Sequence, residues 1–259
     1  MSDKKTLSES RSQTFNSHIL IWGGPGTGKT TFAGSYTKGP THFYSFDPQG
    51  TEVLLNEGRK DITVDDFSSS IDTTFSSFWK QAQNDEQSGF FQEMADNEGL
   101  AVFDSYTALE SHIVKYTMKH VLAKKENKDG IFIPEDKDWR TIAGYVLAFF
   151  SWVTSLPCAS LVIVHRKTYY NQKEGINYYT PSILGQQSEG AMRWFSDCFY
   201  CYMLAGSQFL QIKGVPTAPS ASRMFPKSVD IQKLKNPSMD DFYLAFHEGP
   251  KSLKKKIAN

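Results

Sequence analysis

The stretch from Gly23 to Thr30 carries the residue types whose spacing points most directly to chemistry. It reads GGPGTGKT and matches the pattern G-x-x-x-x-G-K-S/T. Glycines let the backbone turn so that successive N–H groups face one anion, and a helix that starts there adds its positive dipole end. In this pattern Lys29 reaches the β- and γ-phosphates and the Thr30 hydroxyl holds Mg²⁺. The predicted nucleotide-binding residues are Gly24, Pro25, Gly26, Thr27, Gly28, Lys29, Thr30 and Thr31.

Asp104 is the second candidate for this site. It follows four apolar residues in LAVFDS, a pattern typical of a buried strand. A carboxylate at the carboxyl end of a central strand can hold Mg²⁺ through water, so Thr30 and Asp104 are the predicted metal residues. The alternative is a helix N-cap aspartate with no metal role.

Apolar runs and turn residues divide the chain into the elements that must position these groups. The predicted strands lie near 18–22, 41–47, 100–105, 159–165, 197–205 and 208–213. The predicted helices lie near 29–36, 71–96, 108–124 and 139–155, the last with Asp138 as its N-cap. Continuous apolar strands separated by helices predict an α/β fold, with a mostly parallel central sheet flanked by helices on both faces.

Composition narrows the class of protein. The 259 residues suffice for one sizeable α/β domain. Lys and Arg together number 28, as do Asp and Glu, so only a local patch can attract a polyanion. No apolar run approaches the ~20 residues that cross a bilayer, and the polar N-terminus lacks a signal core. We therefore expect a cytoplasmic protein with no membrane partner.

The three cysteines predict neither disulfides nor a metal site. Cys198 and Cys201 form a C-x-x-C, but within the apolar run DCFYCYML. Residues three apart on a strand point to opposite faces and cannot grip one metal together. We expect both side chains, and Cys158, in the core.

The order of the motifs resembles that of the RecA/DnaB-type core ATPases. The segments that carry the resemblance are GGPGTGKTT, FDPQG, VFDS, VIVH and PSILG, within about residues 18–215. Among these ATPases the chain is most similar to the small phage-encoded RecA-like proteins of single-strand annealing and recombination (the Sak-four type). The resemblance implies a RecA-like P-loop core, ATP and Mg²⁺ as cofactors, and single-stranded DNA as partner. It also implies a filament or ring of identical subunits, a single-strand DNA-binding protein as a further partner, and a location in a bacterial host's cytoplasm. The domains expected are a flexible arm at 1–16, the ATPase domain at 17–247 and a basic tail at 248–259.

One departure from that family concerns hydrolysis. Relatives carry a catalytic glutamate in a D-x-E-G arrangement after the second strand, whereas residues 47–50 read DPQG. Gln49 can orient water but cannot accept its proton, so we expect slow hydrolysis. Asp47 or Glu52 is an alternative proton acceptor. His165, at its strand end, resembles the polar group that senses the γ-phosphate; a histidine satisfied by local backbone is the alternative. The implied catalytic residues are Lys29, Gln49, Asp104 and His165.

The segment 166–185 interleaves cations with tyrosines. Cations neutralise phosphates, while aromatic faces stack on unpaired bases without demanding a sequence. The corresponding loop of RecA-like proteins is their principal single-strand binding loop. The alternative, a hairpin whose tyrosines pair across strands, is compatible with DNA contact. The predicted DNA-binding residues are Arg166, Lys167, Tyr169, Tyr170, Lys173, Tyr178 and Tyr179. A second basic segment, 116–137, resembles the other DNA-facing loop or is a solvated face.

RecA-type sites are completed by a cation from the neighbouring subunit, and Lys213 is the candidate for this trans-acting role. The preferred hypothesis is an ATP-binding recombination protein that promotes annealing or strand exchange. The alternative is a nucleotide-gated P-loop module that recruits or loads a replication or packaging protein. A small-molecule kinase is disfavoured because the chain between 105 and 165 has only Arg140 to serve as a lid arginine.

Overall fold

The strands of the protein lie in one mixed sheet whose centre is parallel. The computed structural model describes residues 15–48, 50–56, 59, 61–68, 74–184, 187–225, 231–253 and 255–258. Its strands are β1 (His18–Gly23), β2 (Thr41–Ser45), β3 (Ile62–Asp66), β4 (Leu100–Asp104), β5 (Ala159–Asn171), β6 (Ile176–Pro181), β7 (Asp197–Leu204), β8 (Ser207–Gln211), β9 (Ala221–Ser222), β10 (Lys233–Lys235) and β11 (Ile257–Ala258). Its helices are α1 (Lys29–Gly34), α2 (Glu52–Asn56), α3 (Thr74–Ser88), α4 (Phe90–Asp96), α5 (Tyr106–Tyr116), α6 (Asp138–Val153), α7 (Gln187–Met192) and α8 (Met239–Glu248).

The strand order brings distant parts of the chain to one edge of the sheet. The order is β11-β10-β8-β7-β1-β5-β4-β2-β3, with β6 paired to β5 and β9 to β7. The strands from β3 to β7 in this order run parallel. Gly23 is therefore aligned with both His165 and Cys201, and Ser45 with Asp104. The loops that follow β1, β2 and β4 meet at this edge, where His165 of β5 also lies.

Each face of the sheet has its own apolar core. The apolar faces of α3, α4, α5 and α6 pack on one face with Trp22, Tyr44 and Phe103. The other face, with Ile21 and Phe43, is covered by α1, α2 and α8. The predicted fold class, an α/β core with a mostly parallel sheet and helices on both sides, is confirmed. β3 was not predicted, because its partly exposed edge position leaves no continuous apolar run.

Both predicted domain boundaries need correction where the structure describes them. Phe15 is fully buried and packs edge-on against Tyr243 and Phe246, so the predicted arm ends before it. The predicted basic tail belongs to the domain, since Leu253 is buried and β11 pairs with β10. Residues 1–14 lie outside the described residues.

The start of α6 differs from the prediction in its cap. Lys137 takes the N-cap position, and Asp138 is the first helical residue. The buried Asp138 carboxylate accepts a hydrogen bond from the Glu135 backbone N–H at 2.9 Å and lies 3.4 Å from the Lys124 ammonium. At least one lysine of the basic segment 116–137 therefore serves an internal ion pair.

Candidate nucleotide-binding site

Glycines shape the loop between β1 and α1. Gly26 and Gly28 have φ angles of 68° and 79°, in the left-handed region that favours glycine. The Thr27 hydroxyl donates to the Gly24 carbonyl at 2.9 Å and closes the turn. The Phe32 N–H donates to the Gly28 carbonyl at 2.8 Å, which starts α1 directly behind the loop. The sequence motif therefore forms the compact strand-loop-helix turn that a phosphate loop requires.

Two residues of distant strands brace this loop, and sequence reasoning missed them. The Gln208 side-chain amide donates to the Thr27 and Gly28 carbonyls, both at 2.9 Å. The Cys201 thiol donates to the Thr27 carbonyl at 3.1 Å. Cys158, Cys198 and Cys201 are all buried, as predicted. No local motif marks Gln208, and the C-x-x-C does not reveal the contact of Cys201 with the loop, because both contacts depend on β7 pairing with β1 and β8 with β7.

Gly23→Ala should destabilise the fold at this junction. A Cβ at Gly23 would lie 2.2 Å from the Cys201 carbonyl oxygen, so β1 and β7 would have to separate. We expect the free energy of unfolding to fall by about 1–3 kcal/mol, measured by urea denaturation. Gly144→Ala is the matched control: no atom lies within 4 Å of its Cβ position, and helix α6 should gain about 0.5–1 kcal/mol. Equal stability of the Gly23→Ala variant and the wild type would contradict the prediction.

Lys29 lies inside the loop it follows. Its side chain is buried, and the ammonium donates to the Gly24 carbonyl at 2.7 Å and the Gly23 carbonyl at 3.2 Å. Burial lowers the pKa of Lys29, while the charges of Asp104 and Asp47 oppose that shift. The ammonium is thus held by backbone carbonyls of the loop itself.

Thr30 and Asp104 meet as the sequence predicts. The Thr30 hydroxyl donates to the Asp104 carboxylate at 2.6 Å. Burial raises the pKa of Asp104 to about 6, although the hydrogen bond from Thr30 acts to lower it. A hydroxyl and a carboxylate are oxygen donors of the kind that Mg²⁺ prefers, and a divalent cation would offset the cost of burying this charge. The residues present fit the metal, which would neutralise phosphate charge when bound.

The cleft of about 380 Å³ beside the loop has a second wall. Asp47, Gly50, Val53 and His165 line it opposite the phosphate loop. His165 Nε2 lies 3.4 Å from an Asp47 carboxylate oxygen. Burial opposes ionisation, yet the hydrogen bonds from His165 and Ser105 and the charge of Lys29 lower the pKa of Asp47. Gln49 lies outside the described residues, so its predicted role stays a prediction.

The part of the chain that carries the cleft, the phosphate loop and Asp104 matches the model of a known protein family. The model of the AAA_24 family, described as "AAA domain", matches residues 16–214. The chain belongs to this family. Its ATPase class, and with it the use of a nucleotide and usually Mg²⁺, is thereby supported.

The KaiC-like protein PH0186 from the hyperthermophilic archaeon Pyrococcus horikoshii OT3 is similar in structure, with 13% identity and a TM-score of 0.42. The match covers 80% of this chain and 82% of that one. No curated protein matches the chain. Among the described residues of this AAA domain, no helix has the length and apolarity to span a membrane.

The predicted DNA-binding residues of the AAA domain lie on a hairpin. β5 continues beyond His165 to Asn171 and pairs antiparallel with β6. The segment predicted as a DNA-binding loop is therefore the hairpin that was the alternative. Because side chains alternate along a strand, the seven residues are divided between the two faces and the turn. Arg166, Tyr170 and Tyr179 share the inner face, Lys167, Tyr169 and Tyr178 share the outer face, and Lys173 lies in the turn.

Arg166, although exposed, and the partly buried Tyr179 make contacts at the base of the hairpin. The Arg166 guanidinium lies 4.6 Å from the centre of the Tyr179 ring and donates to the Tyr200 hydroxyl at 3.1 Å. It also lies 3.6 Å from the position a Cβ would take at Gly24. The seven residues therefore do not share one face: Arg166 lies beside the phosphate loop, and Tyr179 stacks on Tyr200 with centroids 5.9 Å apart. Their role in DNA binding stays a prediction.

Lys213 lies away from the cleft of its own subunit. It follows β8 and lines a different cavity, of about 480 Å³, with Ile212 and Phe225. Its predicted role in a neighbouring subunit's site stays a prediction.

Proposed function

We propose that this AAA-domain ATPase binds single-stranded DNA in a nucleotide-dependent manner and promotes annealing or strand exchange as an oligomer. The observation that carries the proposal is the outer face of the β5–β6 hairpin, which we define as Lys167, Tyr169 and Tyr178. It combines a cation with two aromatic rings on the hairpin whose first strand leaves the nucleotide cleft.

The chemistry of the outer face suits unpaired bases. Tyr169 and Tyr178 lie opposite each other across the hairpin, and their rings stack with centroids 5.4 Å apart at 12°. Tyr169 is 52% exposed, although such a large ring gains by burial. A stacked pair is a rigid platform on which a base can add a further layer, and Lys167 beside it can neutralise a phosphate. Tyr170, 59% exposed on the inner face, and Lys173 in the turn extend the surface.

The hairpin is connected to the nucleotide cleft through the next residues of β5. His165 faces Asp47 at the cleft, and Arg166 lies beside the phosphate loop with its guanidinium over the Tyr179 ring at the hairpin base. The His165 backbone is fixed on both sides, donating to the Thr107 hydroxyl and accepting from the Ser182 N–H at 2.7 Å. A change at the γ-phosphate position would therefore act on the strand that carries the outer face. This connection supports nucleotide-dependent DNA binding.

Replacing both outer-face tyrosines tests the proposal. We expect Tyr169→Ala with Tyr178→Ala to weaken binding of a labelled oligo-dT at least 10-fold, because each base–aromatic stack contributes about 1–3 kcal/mol. Fluorescence anisotropy with a non-hydrolysable ATP analogue and Mg²⁺ gives the affinity, and omission of the analogue gives its nucleotide dependence. Tyr169→Phe with Tyr178→Phe is the matched control: it keeps both ring faces and should retain wild-type affinity.

Two results would contradict the proposal. One is a wild-type protein that binds the ATP analogue but no single-stranded DNA, which would favour the loader module. The other is unchanged DNA affinity in the double alanine variant, which would move the DNA surface elsewhere. Lys167→Ala tests the phosphate contact through the salt dependence of DNA binding. Losing one phosphate contact should reduce the slope of log affinity against log salt concentration by about one.

The oligomeric part of the proposal concerns Lys213. Its position outside its own cleft is compatible with a contribution to a neighbouring subunit's cleft, the role that RecA-like proteins give to a trans-acting cation. A single-strand DNA-binding protein remains a proposed partner on the same grounds of resemblance.

A further inference from the structure

A second carboxylate faces the cleft besides Asp104. Phe46 continues the pairing of β2 with β4, its N–H donating to the Asp104 carbonyl at 2.7 Å, and Asp47 follows at the sheet edge. The two carboxylates differ in their surroundings. Asp104 is almost fully buried and engaged by Thr30, whereas the Asp47 side chain is 29% exposed and lines the cleft wall opposite the loop.

His165 is the hydrogen-bond partner of the Asp47 carboxylate in this position. His165 Nε2 lies 3.4 Å from an Asp47 carboxylate oxygen. An ionised carboxylate only accepts, so His165 donates through Nε2–H. A carboxylate that is oriented by a donor and open to the cleft has the properties of a general base.

We propose that Asp47 is the catalytic carboxylate that orients the attacking water in ATP hydrolysis and accepts its proton, with His165 as its positioning residue. The inference rests on the ATPase part of the proposed function and is independent of DNA binding. The water oxygen forms a bond to the γ-phosphorus while the bond from that phosphorus to the β,γ-bridging oxygen breaks. ADP leaves with the electron pair of the broken bond, the water proton passes to Asp47, and inorganic phosphate is the second product.

The other carboxylate considered for this role is placed less well. Glu52, the first residue of α2, is exposed and does not line the cleft, although Gly50 and Val53 on either side of it do. A glutamine at position 49 can orient water but cannot take the proton. Asp47 is thus the carboxylate of segment 47–53 that lines the cleft.

Single-turnover hydrolysis of Mg-ATP, with calorimetric binding of a non-hydrolysable analogue, tests the assignment. We expect Asp47→Asn to lower the hydrolysis rate about 100-fold or more, with analogue affinity within about threefold of wild type. Glu52→Gln is the matched carboxylate control and should hydrolyse at the wild-type rate. His165→Ala should lower the rate but not the affinity, and His165→Gln should recover part of the rate because its amide can donate to Asp47.

Several outcomes would overturn the assignment. Wild-type hydrolysis by Asp47→Asn would do so, as would loss of the rate in Gln49→Ala with Asp47→Asn active. An equal loss of affinity and rate in Asp47→Asn would make Asp47 a ligand of the metal or nucleotide instead. A wild-type protein that binds the analogue without hydrolysing ATP would also overturn it. DNA binding measured with the analogue does not depend on hydrolysis, so failure here is distinguishable from failure of the proposed DNA function.

Discussion

Lys29→Ala is expected to weaken binding of Mg-ATP by at least 100-fold. The ammonium is buried in the phosphate loop, where it donates to the Gly23 and Gly24 carbonyls. A triphosphate would replace these carbonyls with charged oxygens, and hydrogen bonds to charged groups contribute about 1.5–3 kcal/mol each. Loss of two such contacts corresponds to about 100-fold or more in affinity. Isothermal titration calorimetry with a non-hydrolysable analogue measures the effect.

Lys38→Ala is the matched control for this variant. Lys38 lies beyond α1, and its ammonium is 4.0 Å from Asp240 at the surface, so its removal should change nucleotide affinity less than twofold. Thermal unfolding of both variants establishes that they are folded. Undiminished uptake of the analogue by Lys29→Ala would refute the assignment of the loop as the phosphate site, and with it the nucleotide-dependent part of the proposed function.

Phe103→Ala should produce the largest loss of stability, about 3–5 kcal/mol in the free energy of unfolding. Phe103 is fully buried in β4 and stacks on Tyr44 with centroids 5.1 Å apart at 5°. It also packs against Phe149 and Trp152, at 5.6 and 5.7 Å. Removing this ring leaves a cavity between the sheet and α6 that rigid aromatic neighbours cannot refill. Urea denaturation monitored by circular dichroism gives the value.

The same variant should also impair the site, because Phe103 is the residue before Asp104. A cavity beneath the end of β4 loosens the strand that holds this carboxylate against Thr30. Leu55→Ala is the stability control: its side chain is 76% exposed, and the change should stay within about 0.5 kcal/mol. A loss of stability below about 1 kcal/mol for Phe103→Ala would show that the aromatic cluster is not tightly packed.

Strand β5 connects the nucleotide cleft with the β5–β6 hairpin, and so links the predicted nucleotide site to the predicted DNA-binding surface. Val164 and the residues before it are buried in the sheet, whereas the strand from Arg166 onwards is exposed. His165 lies at the transition and is held by Thr107 and Ser182. A single continuous strand can therefore transmit a displacement at the cleft to the outer face, which motivates measuring DNA affinity with and without nucleotide.

The sequence alone determined the features that depend on local chain geometry. The phosphate loop was predictable because its glycines, Lys29 and Thr30 act within one turn of backbone. The strand ending at Asp104 was predictable because a continuous apolar run marks a strand buried on both faces. These patterns also led to the α/β class, since apolar strands that alternate with helices leave few other architectures.

Only the tertiary structure decided which distant side chains complete the site. Gln208 reaches the phosphate loop because β8 pairs with β7 and β7 with β1, a register that composition does not reveal. The pairing of β5 with β6 shows which side chains share a face of the hairpin. It places the tyrosines on two different faces and Arg166 beside the phosphate loop. Asp47 gained its partner because β2 and β5 lie on either side of β4. Such contacts arise from pairing between strands far apart in the chain, which local residue patterns do not specify.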